Sequence, residues 1–148
     1  MAFEGFLRFR DRVGILNEMS GETIFIVDDD EAVRDSLKLL LESHGCRVRD
    51  YGSTRDFFRE YRKEERQCLV LDHHLPGETG IEFLESDDGA KLRVPVIIVT
   101  GGGDQSLRAR ATKAGALAYF DKPINDSELV TTIFLLLDGA GSAPEMAP

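Results

Sequence analysis

The sequence predicts an α/β fold in which a five-stranded parallel sheet is covered on both faces by helices. Three observations carry that prediction. Five short apolar runs recur between residues 23 and 120, a segment of helical apolar spacing follows each, and glycines stand where two of those helices should stop. Strands alternating with helices at this spacing imply right-handed crossovers, and such sheets take ligands in the crevice at the C-terminal ends of their strands.

The first strand is read at residues 23–27. The helix after it places Val33, Leu37, Leu40 and Leu41 on one face and ends at Gly45. A second strand lies near residues 46–51, and the next helix carries Phe57, Phe58 and Tyr61 at core spacing. Residues 67–71 form a buried third strand, and a third helix starts at about Thr79. Asp87, Asp88 and Gly89 predict early termination of that helix in a solvated loop. The fourth strand is read at residues 94–99, with Pro95 tolerated because it falls among the first residues. A fourth helix from about Asp104 carries Leu107, Ala111 and Ala114 and closes at Gly115. Residues 117–120 make the fifth strand, and Leu129, Ile133, Phe134 and Leu137 mark the fifth helix.

These elements occupy residues 22–137. Residues 1–21 form an N-terminal extension, and residues 138–148, rich in Gly, Ala, Ser and Pro, read as a flexible tail. A chain of 148 residues holds one ordinary domain, and 42% hydrophobic with 30% charged residues suits a packed fold rather than a disordered chain. The net charge of -9 repels phosphate backbones, so direct nucleic-acid binding is not expected and any DNA-binding output must lie elsewhere. Two cysteines, Cys46 and Cys68, are too few for a disulfide framework and lack zinc-site spacing, which fits a reducing cytoplasm. Near the N-terminus, Phe3, Phe6, Leu7 and Val13 could line a short docking helix, but Glu4, Arg8, Arg10, Asp11 and Arg12 break any signal-peptide core. No apolar run is long enough to span a membrane.

The chemistry concentrates where strands end. Asp28, Asp29 and Asp30 follow the first strand, and taken alone they suit a helix N-terminus equally well. Asp72 ends the third strand, so carboxylates from two strands converge on the crevice, where a hard divalent cation would relieve their repulsion. Thr100 ends the fourth strand and Lys122 follows the fifth, adding a hydroxyl and an ammonium to the same rim. Such a set suits a tetrahedral phosphoryl group, with a carboxylate as nucleophile.

The runs Val27-Asp28-Asp29-Asp30, Asp72 with Pro76 and Gly80, Val99-Thr100-Gly101, and Asp121-Lys122-Pro123 resemble, in order and spacing, the CheY-like receiver domains of two-component response regulators. The wording of residues 30–41 resembles the FixJ-like branch. The resemblance implies a flavodoxin-like, doubly wound (βα)5 fold of strand order 2-1-3-4-5. It makes Asp72 the phosphoacceptor, with Mg²⁺ held by Asp29 and Asp72 directly, by Asp28 mainly through water, and by the His74 backbone carbonyl. Thr100 and Lys122 would hold the phosphoryl oxygens, and neither is expected to hold much else at rest. Tyr119 would change rotamer with Thr100 and pass the signal to the face of helix four, strand five and helix five. Lys122-Pro123 matches a pair whose peptide bond is often cis.

The resemblance further implies a histidine kinase or phosphotransfer protein as donor, and a downstream protein partner, an output domain or a phosphorylation-dependent homodimer as recipient. It implies a switch rather than a turnover enzyme. Two alternatives are a Mg²⁺-dependent phosphohydrolase, which would place an acid where this chain has His74, and a receiver used only for docking, which the complete set of site residues disfavours. His73 and His74 read as loop residues at the pocket mouth rather than metal ligands. In the implied strand order Cys46 and Cys68 lie on strands separated by a third, about 9 to 10 Å apart and beyond disulfide reach.

Overall fold

A computed structural model describes residues 22–139, and the expected extension at 1–21 and the tail beyond Gly139 lie outside the described residues. The elements run β1 (Thr23–Val27), α1 (Glu31–Ser43), β2 (Arg47–Tyr51), α2 (Thr54–Glu60), β3 (Gln67–Asp72), α3 (Gly80–Glu85), α4 (Asp87–Ala90), β4 (Val96–Thr100), α5 (Gln105–Lys113), β5 (Ala118–Asp121) and α6 (Asp126–Gly139). The strands are all parallel, in the order β2-β1-β3-β4-β5. The extra turn α4 means that the expected fourth and fifth helices are α5 and α6.

Every residue of β1, β3 and β4 is buried, because helices cover both faces of the sheet and neither set of alternating side chains meets water. Ile24, Ile26, Val70, Ile97 and Val99 pack on one side with Leu37 and Leu41 of α1 and Leu129, Ile133 and Phe134 of α6. Phe25, Val27, Leu69, Leu71 and Ile98 pack on the other with Phe57 of α2, Ile81 and Phe83 of α3, and Ala111 of α5.

Short polar side chains start the helices by accepting from orphan backbone N–H groups. Asp30 caps α1, Ser53 caps α2 and Asp104 caps α5, while Thr79 and Glu82 form a reciprocal capping box at α3. Gly45 and Gly115, at φ +88° and +111°, carry the chain out of α1 and α5 in a conformation that a Cβ would penalise. Pro95 lies just before β4 rather than inside it, and its carbonyl accepts from Leu69 N–H at 2.9 Å.

Helix α3 ends early, at Glu85, as the Asp87-Asp88-Gly89 run predicts, but the exposed segment after it is a helical turn rather than a loop: Ser86 both ends α3 and caps α4, accepting from Gly89 N–H at 3.1 Å. Gly89 is there for close approach, since a Cβ at that position would overlap the Phe83 carbonyl and come within 2.7 Å of Leu84 Cα. The last helix also continues past residue 137 to Gly139.

Candidate phosphoacceptor site

The sheet brings the expected residues to one rim. Asp72 is the last residue of β3 and Thr100 the last of β4, while Asp28 and Lys122 directly follow β1 and β5. Asp28, Asp72 and Thr100 are buried, whereas Asp29 is exposed. Carboxylate oxygens of Asp28, Asp29 and Asp72 all lie within 4.8 Å of one another. Lys122 Nζ reaches both buried acids, at 3.4 Å from Asp28 Oδ2 and 3.6 Å from Asp72 Oδ1. The Lys122-Pro123 peptide bond is cis.

The loops that carry these side chains are pinned by backbone hydrogen bonds. Asp28 Oδ1 accepts from Asp30 N–H at 2.8 Å, while the Asp30 carboxylate caps α1, so the acidic triplet serves both the site and the helix. Asp72 Oδ1 accepts a long bond from His74 N–H at 3.3 Å, and His73 N–H extends the ladder to the Val99 carbonyl at 2.8 Å. Lys122 N–H donates to the Thr100 carbonyl at 2.8 Å, tying the last two loops together. Gly80 closes the floor: a Cβ there would overlap the Asp72 carbonyl and lie 3.1 Å from His73 Cα, so only glycine lets α3 start this close to Asp72.

The electrostatics are those of a site with surplus negative charge. Burial and the neighbouring Asp28 raise the Asp72 carboxyl above its ordinary range, with Lys122 and the His74 N–H opposing. Burial pulls the Lys122 ammonium down, but Asp72 and Asp28 outweigh it and raise the group overall. One ammonium facing two buried carboxylates and a third nearby leaves room for a hard cation with oxygen ligands, and the donor set fits Mg²⁺.

Neither Thr100 nor Lys122 is idle at rest, contrary to expectation. Lys122 bridges the two acids, and Thr100 Oγ1 lies 2.9 Å from His74 Nε2. The paired histidines also divide. His74 is exposed and faces the site, whereas His73 turns inward, its Nδ1 without a hydrogen-bond partner among the described residues. Burial, then His74, lowers the His73 pKa.

Tyr119 is half-buried under the Arg108 guanidinium, which sits 4.5 Å from the ring centroid. Its hydroxyl is buried without a hydrogen-bond partner among the described residues and occupies the space where a Cβ on Gly103 would be. Burial raises its pKa, with Asp121 adding and Arg108 opposing. Cys46 and Cys68 are buried and form no disulfide, and burial pushes the Cys68 thiol up to about 12.

Sequence reasoning missed Arg34. From the first turn of α1 its Nη1 donates to the Asp28 carbonyl at 2.7 Å and its Nε to Asp50 Oδ2 at 3.0 Å, fixing the acidic loop against the end of β2. Its position beside the Asp triplet was a faint signal, but the pairing with Asp50 needs the strand register.

Comparison with known proteins agrees with this geometry. Residues 24–134 match the response regulator receiver domain. Nodulation protein W of Bradyrhizobium diazoefficiens is 36% identical over 110 residues, covering 74% of this chain and 48% of the relative. The transcriptional regulatory protein FixJ of Rhizobium meliloti is 34% identical over 115 residues, covering 78% and 56%. The chain spans about half the length of the curated relatives it matches. Among solved structures, full-length FixJ from B. japonicum superposes with a TM-score of 0.74 at 33% identity, covering 86% of this chain and 63% of that one. The FixJ-N structure gives 0.71 at 32% identity, covering 81% and 96%. With the five-stranded order, the acidic rim and these matches in agreement, the chain belongs to the receiver domain family of two-component response regulators.

Proposed function

We propose that the chain is a working phosphorylation switch in which Asp72 accepts a phosphoryl group. The observation that carries this is the Lys122 ammonium lying within 3.6 Å of both Asp28 and Asp72 at the ends of three strands, with Thr100 at the end of a fourth. A carboxylate oxygen of Asp72 attacks phosphorus and forms the new O–P bond. The N–P bond of a phosphohistidine, or the O–P bond of an acyl phosphate, breaks as the donor leaves with the bonding pair. Asp28, Asp29, Asp72 and the His74 carbonyl are the residues that would hold Mg²⁺, which when bound offsets the charge of the phosphoryl oxygens. Lys122 exchanges its hold on Asp72 for a phosphoryl oxygen, and the Thr100 hydroxyl donates to another.

Thr100 and Tyr119 then convert occupancy into shape. As Thr100 moves towards the phosphoryl group, Tyr119 changes rotamer and alters the face of α5, β5 and α6. The donor is a histidine kinase or phosphotransfer protein. The recipient is a downstream protein or output domain, or a second copy of the chain in a phosphorylation-dependent homodimer. FixJ is a transcriptional regulatory protein, which suggests an output of that class. The site of action is the cytoplasm; no helix among the described residues is long and apolar enough to cross a membrane.

Incubation with Mg²⁺ and a small acyl phosphate, followed by intact mass, tests the acceptor. One phosphoryl adduct is expected in the wild type and none in Asp72→Asn. Undiminished labelling of the variant would falsify the assignment, and catalytic turnover of free phosphomonoesters would favour the phosphohydrolase alternative.

A further inference from the structure

The described hydrogen-bond partner of the Thr100 hydroxyl is an imidazole. His74 Nε2 lies 2.9 Å from Thr100 Oγ1 and also 2.9 Å from the Gly101 carbonyl oxygen. A carbonyl can only accept, so Nε2 carries the proton and shares one N–H between two acceptors of the same loop. The ring is held for this work. Its own backbone N–H donates to Asp72 Oδ1, and its ring packs in a T-shaped pair with that of the buried His73, centroids 5.1 Å apart. The loop it grips is the pliant part of the rim: Gly101 is exposed, and Gly102 sits at φ +80° with open space around it.

We propose that His74 is a positioning residue that latches the Thr100–Gly101 segment in its resting arrangement, so that receipt of a phosphoryl group requires this side chain to release the threonine. The latch rests on the acceptor reading of Asp72 and adds to it a restraint supplied by an individual residue of this chain. It acts through Thr100, not on the phosphoryl group. Because one N–H serves two acceptors, the hold is weak, which suits a contact that must break in each cycle. Removing it should favour the occupied arrangement by about threefold to tenfold, the size of one modest hydrogen bond.

The test uses beryllofluoride with Mg²⁺ as the phosphoryl mimic, on the wild type, His74→Ala and His74→Gln, with Asp72→Asn as the blank. Glutamine places an amide N–H near the position of imidazole Nε2 and should restore the latch. The expected result is about threefold to tenfold tighter beryllofluoride binding in His74→Ala and wild-type affinity in His74→Gln. The Thr100 methyl resonance of unliganded His74→Ala should move towards its beryllofluoride-bound position, and that of His74→Gln should not. A merely structural role for His74 would not shift that resonance along this line. Affinity in His74→Ala equal to or below wild type, or identical behaviour of the alanine and glutamine variants, overturns the latch alone. A folded wild type that binds no beryllofluoride overturns the acceptor reading itself, a result distinct from either latch outcome.

Discussion

At the scale of single residues, Asp72 is where function and stability pull in opposite directions. Burial and Asp28 raise its pKa in the folded protein, so the fold holds that proton to a higher pH than the unfolded chain does. The contribution of this group to stability is therefore fully present below the unfolded value of about 3.9 and is lost as pH rises through the raised folded value. The charged form is the one that burial and Asp28 disfavour, and Asp72→Asn keeps the shape while removing that charge. That variant should melt a few degrees higher than the wild type at pH 7, on the order of 1 kcal/mol, with the gain shrinking towards about pH 3. Thermal melts at the two pH values check it, and a gain that grows on acidification would reverse the sign. A second residue-scale prediction concerns Gly103. Its missing side chain is the seat of the Tyr119 hydroxyl, and a Cβ there would also lie 2.8 Å from Thr100 Cγ2. Gly103→Ala should drive Tyr119 out from beneath Arg108 and cost about 1–3 kcal/mol by overpacking. Ring resonances of Tyr119 that stay where they are in wild type would show that the seat is not needed.

At the scale of elements, strands and caps were legible because their causes are local. Apolar runs at strand length, Gly45 and Gly115 at helix ends, and Asp104 before α5 each act on near neighbours in sequence. The α3–α4 segment was not legible, because Gly89 reads the same whether glycine breaks a helix or lets two backbones touch. Only the fold distinguishes these, and here the second holds. Gly89→Ala should therefore destabilise the domain by about 1–3 kcal/mol, whereas a solvated-loop glycine away from positive φ would tolerate alanine. Denaturant midpoints at unchanged slope measure the difference. The same distinction qualifies Gly102. Its positive φ means that Gly102→Leu, the obvious way to shield an acyl phosphate from water, would strain the loop it is meant to cover. Gly101, without a positive φ and with open space at its Cβ, is the better site for a shielding side chain. Gly101→Leu is expected to slow the loss of phosphoryl label after the donor is removed, and faster loss would point to the loop backbone as the control.

At the scale of the whole molecule, the site exists only because four crossovers return each strand's C-terminal end to one edge, so residues separated by 94 positions, Asp28 and Lys122, come within 3.4 Å. The identity of the acids, Thr100 and Lys122 could be read from four short motifs, since each motif marks a strand end. Their resting partnerships could not, because the His74 and Arg34 contacts depend on loop geometry that no periodicity encodes. The same assembly concentrates negative charge in a folded pocket that the unfolded chain lacks, and this separates Mg²⁺ binding from general charge screening. A cation that binds only the folded state stabilises it by RT ln(1 + [L]/Kd), about 1.4 kcal/mol at ten times Kd, or roughly 5 °C in the melting temperature of a domain this size. Magnesium chloride should produce that rise in the wild type, while sodium chloride at matched ionic strength should not. Asp29→Ala should lose most of the rise, because Asp29 is expected to ligate the cation directly, while its basal melt should change little because the side chain is exposed. Asp28→Ala should retain more of it if its link to the cation runs through water, though its own melt will start lower, since Asp28 Oδ1 holds the Asp30 N–H and Oδ2 faces Lys122. An equal rise in all three proteins would mean that the cation acts on the surface charge of -9 and not at the pocket.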